Sequence, residues 1–507
     1  MLIVHAASEV VGYAKTGGLA DVAGSLPRAL ARRGHSCAVI MPLYRGARAG
    51  KIPVTSTDHR LSIPVGKSKI EGRIWRSQMP DSNVPVYLIE QADFFERDDP
   101  GSGRGLYQFT LPNGNKADYP DNLQRFIFFD RAVLEALRLL DLWPDVLHNH
   151  DWQAGLIPVY LRETYCHHAD YKLREKYQKI NTIFTIHNIA YQGLFKAVDL
   201  PVTGLDWRLF NYQQLEFYGQ LNFLKAGIVF SDRVTTVSAR YAEEIQTPYY
   251  AYGLQGVLSE RRQRLSGIVN GVDYEVWDPA VDRHLPANYT VDDLAGKAKC
   301  KAALQRRYGL PEEPDAPLLA MVARLVEQKG LDLLAKSGEA IMSLPGAPPV
   351  QLIVLGEGDP PYHRMLEDLK QRFPNQVGLT LGFDETLAHQ IEAGADIFLM
   401  PSMFEPSGLN QLYSLKYGTV PVVRACGGLA DTITDSTLHS QTERTANGFT
   451  FVPFAASVFL WAVQRAVEAY RDHPQLWRQL QRTGMSQDWS WNRSAAEYEK
   501  LYKQIVE

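Results

Sequence analysis

Arg324 and Lys329 lie in Ala323-Arg324-Leu325-Val326-Glu327-Gln328-Lys329-Gly330, between the apolar run Leu318-Leu319-Ala320-Met321-Val322 and the start of a helix. Two cations at a strand end suit a leaving diphosphate. Arginine binds its oxygens bidentately, and lysine serves as a mobile point charge. The alternative is a pair of solvated surface charges, and the position between strand end and helix start favours the first. Phe404-Glu405-Pro406-Ser407-Gly408-Leu409-Asn410 follows another apolar run, Ile397-Phe398-Leu399-Met400, and opens a helix through Leu412, Leu415 and Tyr417. Free amides at Gly408 and Leu409 would bind phosphate oxygens, while Glu405 would hold sugar hydroxyls or face a developing positive charge. Taken alone, Glu405 also reads as a first-turn acid stabilising the helix dipole.

The elements that must carry these residues are strand–turn–helix units. Leu2-Ile3-Val4 is a strand. Ala14-Lys15-Thr16-Gly17-Gly18-Leu19-Ala20-Asp21-Val22 is a glycine turn leading into a helix with apolar Leu19, Val22, Ala23, Leu26 and Leu30. Glycines there admit a close ligand, and the helix start offers N–H groups to an anion. Gly427-Gly428-Leu429-Ala430-Asp431-Thr432 nearly repeats the phrase and suggests two nucleotide-fold lobes. The first phrase follows the first strand of its lobe and the second a late strand, so the two read as walls of one cleft rather than a duplicated domain. Val146-Leu147 leads to His150-Asp151-Trp152, and Thr182–Ile186 delivers His187-Asn188. Ligands of open α/β sheets bind at the carboxyl ends of strands, so several strand ends present usable polar groups at one edge.

The 507 residues exceed one ordinary core, which points to two or three domains. With 45% hydrophobic residues, 22% charged and a formal charge of −4, neither nucleic acid nor an anionic membrane is an expected partner. Four scattered cysteines without a C-x-x-C fit a reducing compartment. The absence of a signal-like segment or bilayer-length apolar run gives a cytosolic expectation, or a plastid stroma if a transit peptide has been removed. Alternating strand and amphipathic segments predict an α/β protein with parallel sheets. The first helix is expected to stop at Gly34, with Pro27 inside it, and residues 52–90 read as inserted antiparallel hairpins. A loop from Asp98 to Pro120 reads as mobile or ligand-ordered. Further expectations are helices from about Asp292 to Tyr308 and from Trp489 to Glu507, and a crossing into the second lobe at Gly267–Asp273. His148-x-His150 has metal-like spacing but no evident third ligand; His167-His168 reads as solvent-facing, and Asp98-Asp99 resembles an acidic metal pair only superficially. No metal is expected.

Lys15–Val22, His150-Asp151-Trp152, Thr185–Asn188, Asn270-Gly271-Val272-Asp273, Arg324 with Lys329-Gly330-Leu331, Phe404-Glu405-Pro406 with Gly408-Leu409, and Gly427–Thr432 together resemble the bacterial glycogen synthases and plant starch synthases. The match spans the chain in order. It implies a GT-B fold, two Rossmann-like lobes facing each other across a deep cleft. The N-terminal acceptor-side lobe would span 1–265, the donor-side lobe 266–485, and a C-terminal helix, 486–507, would cross back. It also implies metal-free, retaining α-1,4-glucosyl transfer from ADP-glucose to the non-reducing end of a glucan (glycogen, starch or maltooligosaccharide), without a cofactor.

Carried over by position, Lys15 and the Gly17-Gly18 turn would approach the donor phosphates once the cleft closes, with Asp21 helping position them. Lys15 would lie far from Arg324 in an open state. Arg324 and Lys329 would neutralise the diphosphate, aided by the Gly408 and Leu409 amides. Asp151, His187, Asn188 and Asn270 would bind the transferred glucose, with the His187 backbone carbonyl near the anomeric carbon, and Glu405 would hold the sugar from the other lobe. Phe383 would stack on the base where the family commonly has tyrosine. Ser407 replaces a common cysteine, Asn410 a common threonine and Gln153 a common histidine, while Tyr413 stands at the second acidic position of other retaining GT-B enzymes. The rivals are a transferase using another nucleotide-sugar such as UDP-glucose, or another acceptor, and a weakly active glucan-binding or priming partner. A phosphorylase is disfavoured because nothing marks a pyridoxal-phosphate lysine.

Overall fold

The computed structural model describes residues 1–98, 105–112 and 115–507. Two compact units emerge: Met1–Val237 with Ala242–Ile268 and Trp491–Glu507, and Ser238–Tyr241 with Val269–Ser490.

The first unit is built on a nine-stranded sheet. Strand Leu2–Ala6 lies at its centre, paired in parallel with Ser36–Pro42 on one side and Val146–His150 on the other. Beyond Val146–His150 come Asn181–Ile186, Arg233–Thr236 and Leu265–Gly267, all parallel. The central strands Leu2–Ala6, Val146–His150 and Asn181–Ile186 are largely buried on both faces, which is why they read as near-continuous runs rather than alternating ones. The sheet reverses its strand order between Leu2–Ala6 and Val146–His150, so the loops leaving those strands open at a switch point. Helix Gly18–Arg32 buries Leu19, Val22, Leu26 and Leu30 and carries Pro27 inside; Gly34 follows at φ 92°, a left-handed stop that glycine adopts without strain.

The segment expected to hold antiparallel hairpins does so: Thr55–Val65 pairs antiparallel with Ser68–Gln78, and Ser68–Gln78 with Pro85–Glu90. Pro85–Glu90 also pairs in parallel with Ser36–Pro42, which makes the three strands a continuation of the main sheet. Within the expected Asp98–Pro120 loop, Gln108–Thr110 and Lys116–Asp118 form a short antiparallel pair. Of the Asp98-Asp99 pair, Asp99 lies outside the described residues, and Asp98 forms an ion pair with Arg45. The last helix, Trp491–Val506, packs on the first unit, where Glu499 accepts from Arg33 at 2.7 Å and the Tyr502 hydroxyl lies 2.8 Å from His148 Nδ1.

The second unit has six parallel strands. From one edge they run Val377–Leu381, Gln351–Gly356, Leu318–Val322, Ile397–Met400, Val420–Arg424 and Phe449–Phe451. Numbered within the unit, the order is 3-2-1-4-5-6, the Rossmann arrangement, with its switch point between Leu318–Val322 and Ile397–Met400. Leu319, Met321, Leu352 and Val354 enter one apolar cluster, and Leu318, Ala320, Ile353 and Leu355 enter the cluster on the other face. Each of these Leu, Ile, Val and Met side chains contributes about 1.5–3 kcal/mol on burial, so the sheet is anchored on both sides. The helix expected from Asp292 begins at Ala295 and ends at Tyr308. All four cysteines are buried and none forms a disulfide. Among the described residues, no helix is long and apolar enough to cross a membrane.

Candidate active site

In the first unit, the loop after Leu2–Ala6 is organised by a residue that motif reading missed. Glu9, buried at 4% exposure, accepts hydrogen bonds from the Thr16 hydroxyl at 2.6 Å, from the Thr16 amide, and from the Gly17 amide at 3.4 Å. The Tyr107 hydroxyl lies 2.8 Å from the same carboxylate and 2.7 Å from Ser8 Oγ. Burial raises the Glu9 pKa, and the hydrogen bonds from Thr16, Tyr107 and Gly17 oppose that rise. An internal carboxylate thus holds the two turn amides that a phosphate loop would offer, leaving Lys15 and the start of the Gly18–Arg32 helix for an external anion. Lys15 is exposed, and its Nζ rests 2.7 Å from Asp21 in the first helical turn. A Cβ built on Gly17 or Gly18 would meet nothing within 4 Å, and neither has positive φ. The fold therefore requires glycine at neither position.

Asp151 and His187 end the neighbouring strands and are tied together. The Asp151 Oδ1 accepts the His187 backbone N–H at 2.7 Å, and the Asp151 amide donates to Thr185 O at 3.0 Å. Asp151 holds φ 56°, an uncommon backbone state for a residue with a side chain. Burial lifts its carboxyl to about 8. Asn188 follows, its Oδ1 accepting the Ala190 amide at 3.1 Å. Gln153 is buried, and its Oε1 has no partner among the described residues.

The third neighbour that His148-x-His150 lacked in sequence exists in the fold. His5, from the central strand, brings a ring nitrogen within 4.8 Å of nitrogens on His148 and His150. The arrangement is one of hydrogen bonds. His148 uses Nε2 toward Thr185 Oγ1 at 2.6 Å and Nδ1 toward Tyr502, and its ring stacks on His150 at a centroid distance of 4.3 Å.

In the second unit, the residues Arg324, Lys329, Glu405, Ser407, Gly408, Leu409 and Asn410 collect at the switch point, because the strands ending before them are the two central ones. Lys329 Nζ lies 2.6 Å from Glu405 Oε2, and Ser402 Oγ donates to the same oxygen at 3.1 Å. Both partners are largely shielded, with side-chain exposures of 18% and 7%. Arg324 is exposed and, among the described residues, its side chain is unpaired. Among the described residues, the Gly408 and Leu409 amides donate to no group, and Ser407 Oγ is buried without a partner. Asn410 is committed elsewhere, its Nδ2 donating to Val322 O at 2.6 Å, which ties the two strand ends together. Asn270 is buried, and its Oδ1 has no partner among the described residues. Phe383 follows strand Val377–Leu381 and is 78% exposed. Tyr413 stacks on Trp277 with centroids 3.9 Å apart, so no carboxylate stands at that position.

The second glycine phrase plays a different part from the first. A Cβ on Gly427 would lie 2.0 Å from Glu405 O, and one on Gly428 would lie 2.0 Å from Ser407 O. The Gly428 amide also donates to Glu405 O and Pro406 O at 3.1 Å. These glycines let the backbone pack against the Glu405–Ser407 turn and hold Glu405 in place.

The family model described as starch synthase catalytic domain matches residues 2–260, and that described as glycosyl transferases group 1 matches residues 305–481. The chain is 47% identical over 507 residues to a glycogen synthase of Anaeromyxobacter sp. (strain Fw109-5), covering 100% of each. It is 45% identical over 508 residues to a glycogen synthase of Syntrophotalea carbinolica, covering 100% of this chain and 99% of the other. The catalytic domain of starch synthase IV from Arabidopsis thaliana, solved bound to ADP and acarbose, superposes with a TM-score of 0.87 at 32% identity, covering 99% of both chains. The two Rossmann-type units, each with polar residues at its central strand ends, define a glycosyltransferase of the GT-B class. The chain belongs to the glycogen synthase and starch synthase family and has that family's glycosyl-transfer function.

Proposed function

We propose that this glycogen synthase relative transfers glucose from ADP-glucose to the non-reducing end of an α-1,4-glucan with retention, using Arg324, Lys329 and the Gly408-Leu409 amides to receive the diphosphate. The observation that carries this is the switch point of the second unit. It gathers an unpaired guanidinium, a shielded Lys329–Glu405 pair 2.6 Å apart and two uncommitted amides on two adjacent strand ends. Three cationic or N–H donor sources there match the charge that develops as a diphosphate departs. Lys15, freed from Asp21, would add a further cation, and Gly17 and Gly18 would let the donor come close. Asp151, Asn188 and Asn270 would hold the sugar, and the His187 carbonyl would face its anomeric carbon. Ser407, with its unpartnered hydroxyl, and Phe383, exposed beyond its strand, would contact the donor.

The C1–O bond to ADP breaks and the C1–O4 bond to the acceptor forms on the same face, while the departing phosphate oxygen takes the acceptor hydroxyl proton. Glu405 and the His187 carbonyl would face the oxocarbenium-like charge at C1. With cations and amides receiving the diphosphate, the proposal needs no metal or other cofactor. A cytosolic or stromal enzyme without nucleic-acid or membrane partners fits this reading. ADP as nucleotide and a glucan as acceptor are supported by the ADP and acarbose held by the Arabidopsis relative.

The test is labelled ADP-glucose and UDP-glucose, each offered with glycogen, with maltooligosaccharides and with no primer, in the presence and absence of EDTA. Transfer to glucan from ADP-glucose, unaffected by EDTA, is expected. Transfer from neither donor would remove the assignment, transfer from UDP-glucose alone would replace the donor, and loss of activity with EDTA would contradict the metal-free site.

A further inference from the structure

Behind His187, three histidines from three adjacent strands form a chain. His5 Nδ1 lies 3.1 Å from His150 Nε2, and His150 Nδ1 lies 3.0 Å from His187 Nε2. His5 and His150 are fully buried, and His187 is 8% exposed. Among the described residues, His5 Nε2 is buried with no partner, whereas His187 Nδ1 enters no hydrogen bond and is not sealed off in that way. Burial lowers all three pKa values, that of His150 to about 3, so the rings are neutral and each carries one N–H.

Neutral rings linked in this way must be ordered in common. In one arrangement every ring has its proton on Nδ1: His5 donates to His150, His150 donates to His187, and His187 is left with an outward Nδ1–H. In the other, every ring has its proton on Nε2, the donations run backwards, and the chain ends in a buried N–H at His5 Nε2 that has no acceptor among the described residues. A buried orphan N–H is among the rarest features of folded proteins. The first arrangement avoids it.

We propose that His5 and His150 are positioning residues that fix the tautomer of His187, presenting Nδ1–H as a hydrogen-bond donor to a hydroxyl of the transferred sugar. This rests on the placement of His187 at the sugar under Proposed function. It assigns work to His5, which would otherwise be one more buried side chain of the central strand.

The deciding measurement is a two-bond 1H–15N correlation spectrum of the enzyme labelled with 15N-histidine, without substrate, with His187 assigned by loss of its signals in His187→Gln. Histidine in water prefers the Nε2–H form, so the expected Nδ1–H state at His150 and His187 is not the default. Nε2–H at His187 would overturn the proposal. Removing the relay's first donor with His5→Leu should raise the Nε2–H fraction at His187 and lower kcat about tenfold with a smaller change in KM for the donor. His5→Asn, whose side-chain amide can donate to His150 Nε2, should restore most of the rate. Equal rates for the Leu and Asn variants at matched Tm would also count against the proposal. If His5→Leu fails to fold, the wild-type spectrum decides alone. The spectrum reads the relay without any turnover, so its failure is distinct from failure to transfer glucose.

Discussion

Two glycine pairs of nearly identical sequence should respond oppositely to the same methyl group. A Cβ on Gly17 or Gly18 meets nothing within 4 Å, and Gly17 has extended backbone that any residue adopts. Alanine there restricts the unfolded chain, so each substitution should leave stability unchanged or raise it by about 0.4–1 kcal/mol. At Gly428 the same methyl would lie 2.0 Å from Ser407 O and 2.6 Å from Ser407 Cα, well inside contact distance and against backbone. That forces a main-chain shift costing about 1–3 kcal/mol, the range for overpacking. Gly427, at φ 45°, adds about 1–2 kcal/mol for a side chain in the left-handed region. Urea denaturation and kcat/KM for ADP-glucose read the two effects separately. Gly17→Ala/Gly18→Ala should unfold at or above the wild-type midpoint yet lose at least about tenfold in kcat/KM, since a methyl would stand where the donor approaches. Gly428→Ala should lose stability first and activity with it. Wild-type kcat/KM in the Gly17/Gly18 double variant would refute the claim that these glycines face a ligand.

Glu405→Ala and Lys329→Ala should each lower turnover at least ~100-fold, the scale for losing one transition-state electrostatic partner; near-normal rates in both would remove them from the site. Asp151 supplies a pH test. Its folded carboxyl is raised to about 8 by burial, so the native state binds more protons than the unfolded one between about 4 and 8, and the contribution of Asp151 to stability falls as pH rises through that window. Asp151→Asn should flatten the stability–pH curve by up to ~1.4 kcal/mol per pH unit there, measured by urea midpoints across that range, and an unchanged slope would contradict the raised value.

Much of this arrangement was legible in the sequence because buried parallel strands leave continuous apolar runs, and polar residues just past them can be placed at the sheet's ligand edge. Arg324, Lys329, Glu405, Asp151 and His187 all stand just past such runs. What stayed hidden depends on contacts between distant segments. Glu9 stands three residues past a strand like any loop acid, and only the return of Thr16 and Gly17 to its carboxylate shows its part. His5 looks like a core position in an apolar strand, and only the pairing of Leu2–Ala6 with Val146–His150 makes it a neighbour of His150. Pro85–Glu90 does pair antiparallel with Ser68–Gln78 as its local pattern indicates, but its second, parallel partner, Ser36–Pro42, is distant in sequence and joins the hairpins to the main sheet. The two glycine phrases could be told apart only by their surroundings, open at Gly17 and closed by Ser407 at Gly428.

The most direct measurement is the stereochemistry of a single transfer. ADP-[1-13C]glucose and a maltooligosaccharide primer are incubated with the enzyme, and the anomeric 1H and 13C signals of the new residue are read before any further extension. An α-1,4-linked glucose at the non-reducing end is predicted. A β-linked product, or no labelled glucose in the glucan at all, would contradict retaining transfer from ADP-glucose.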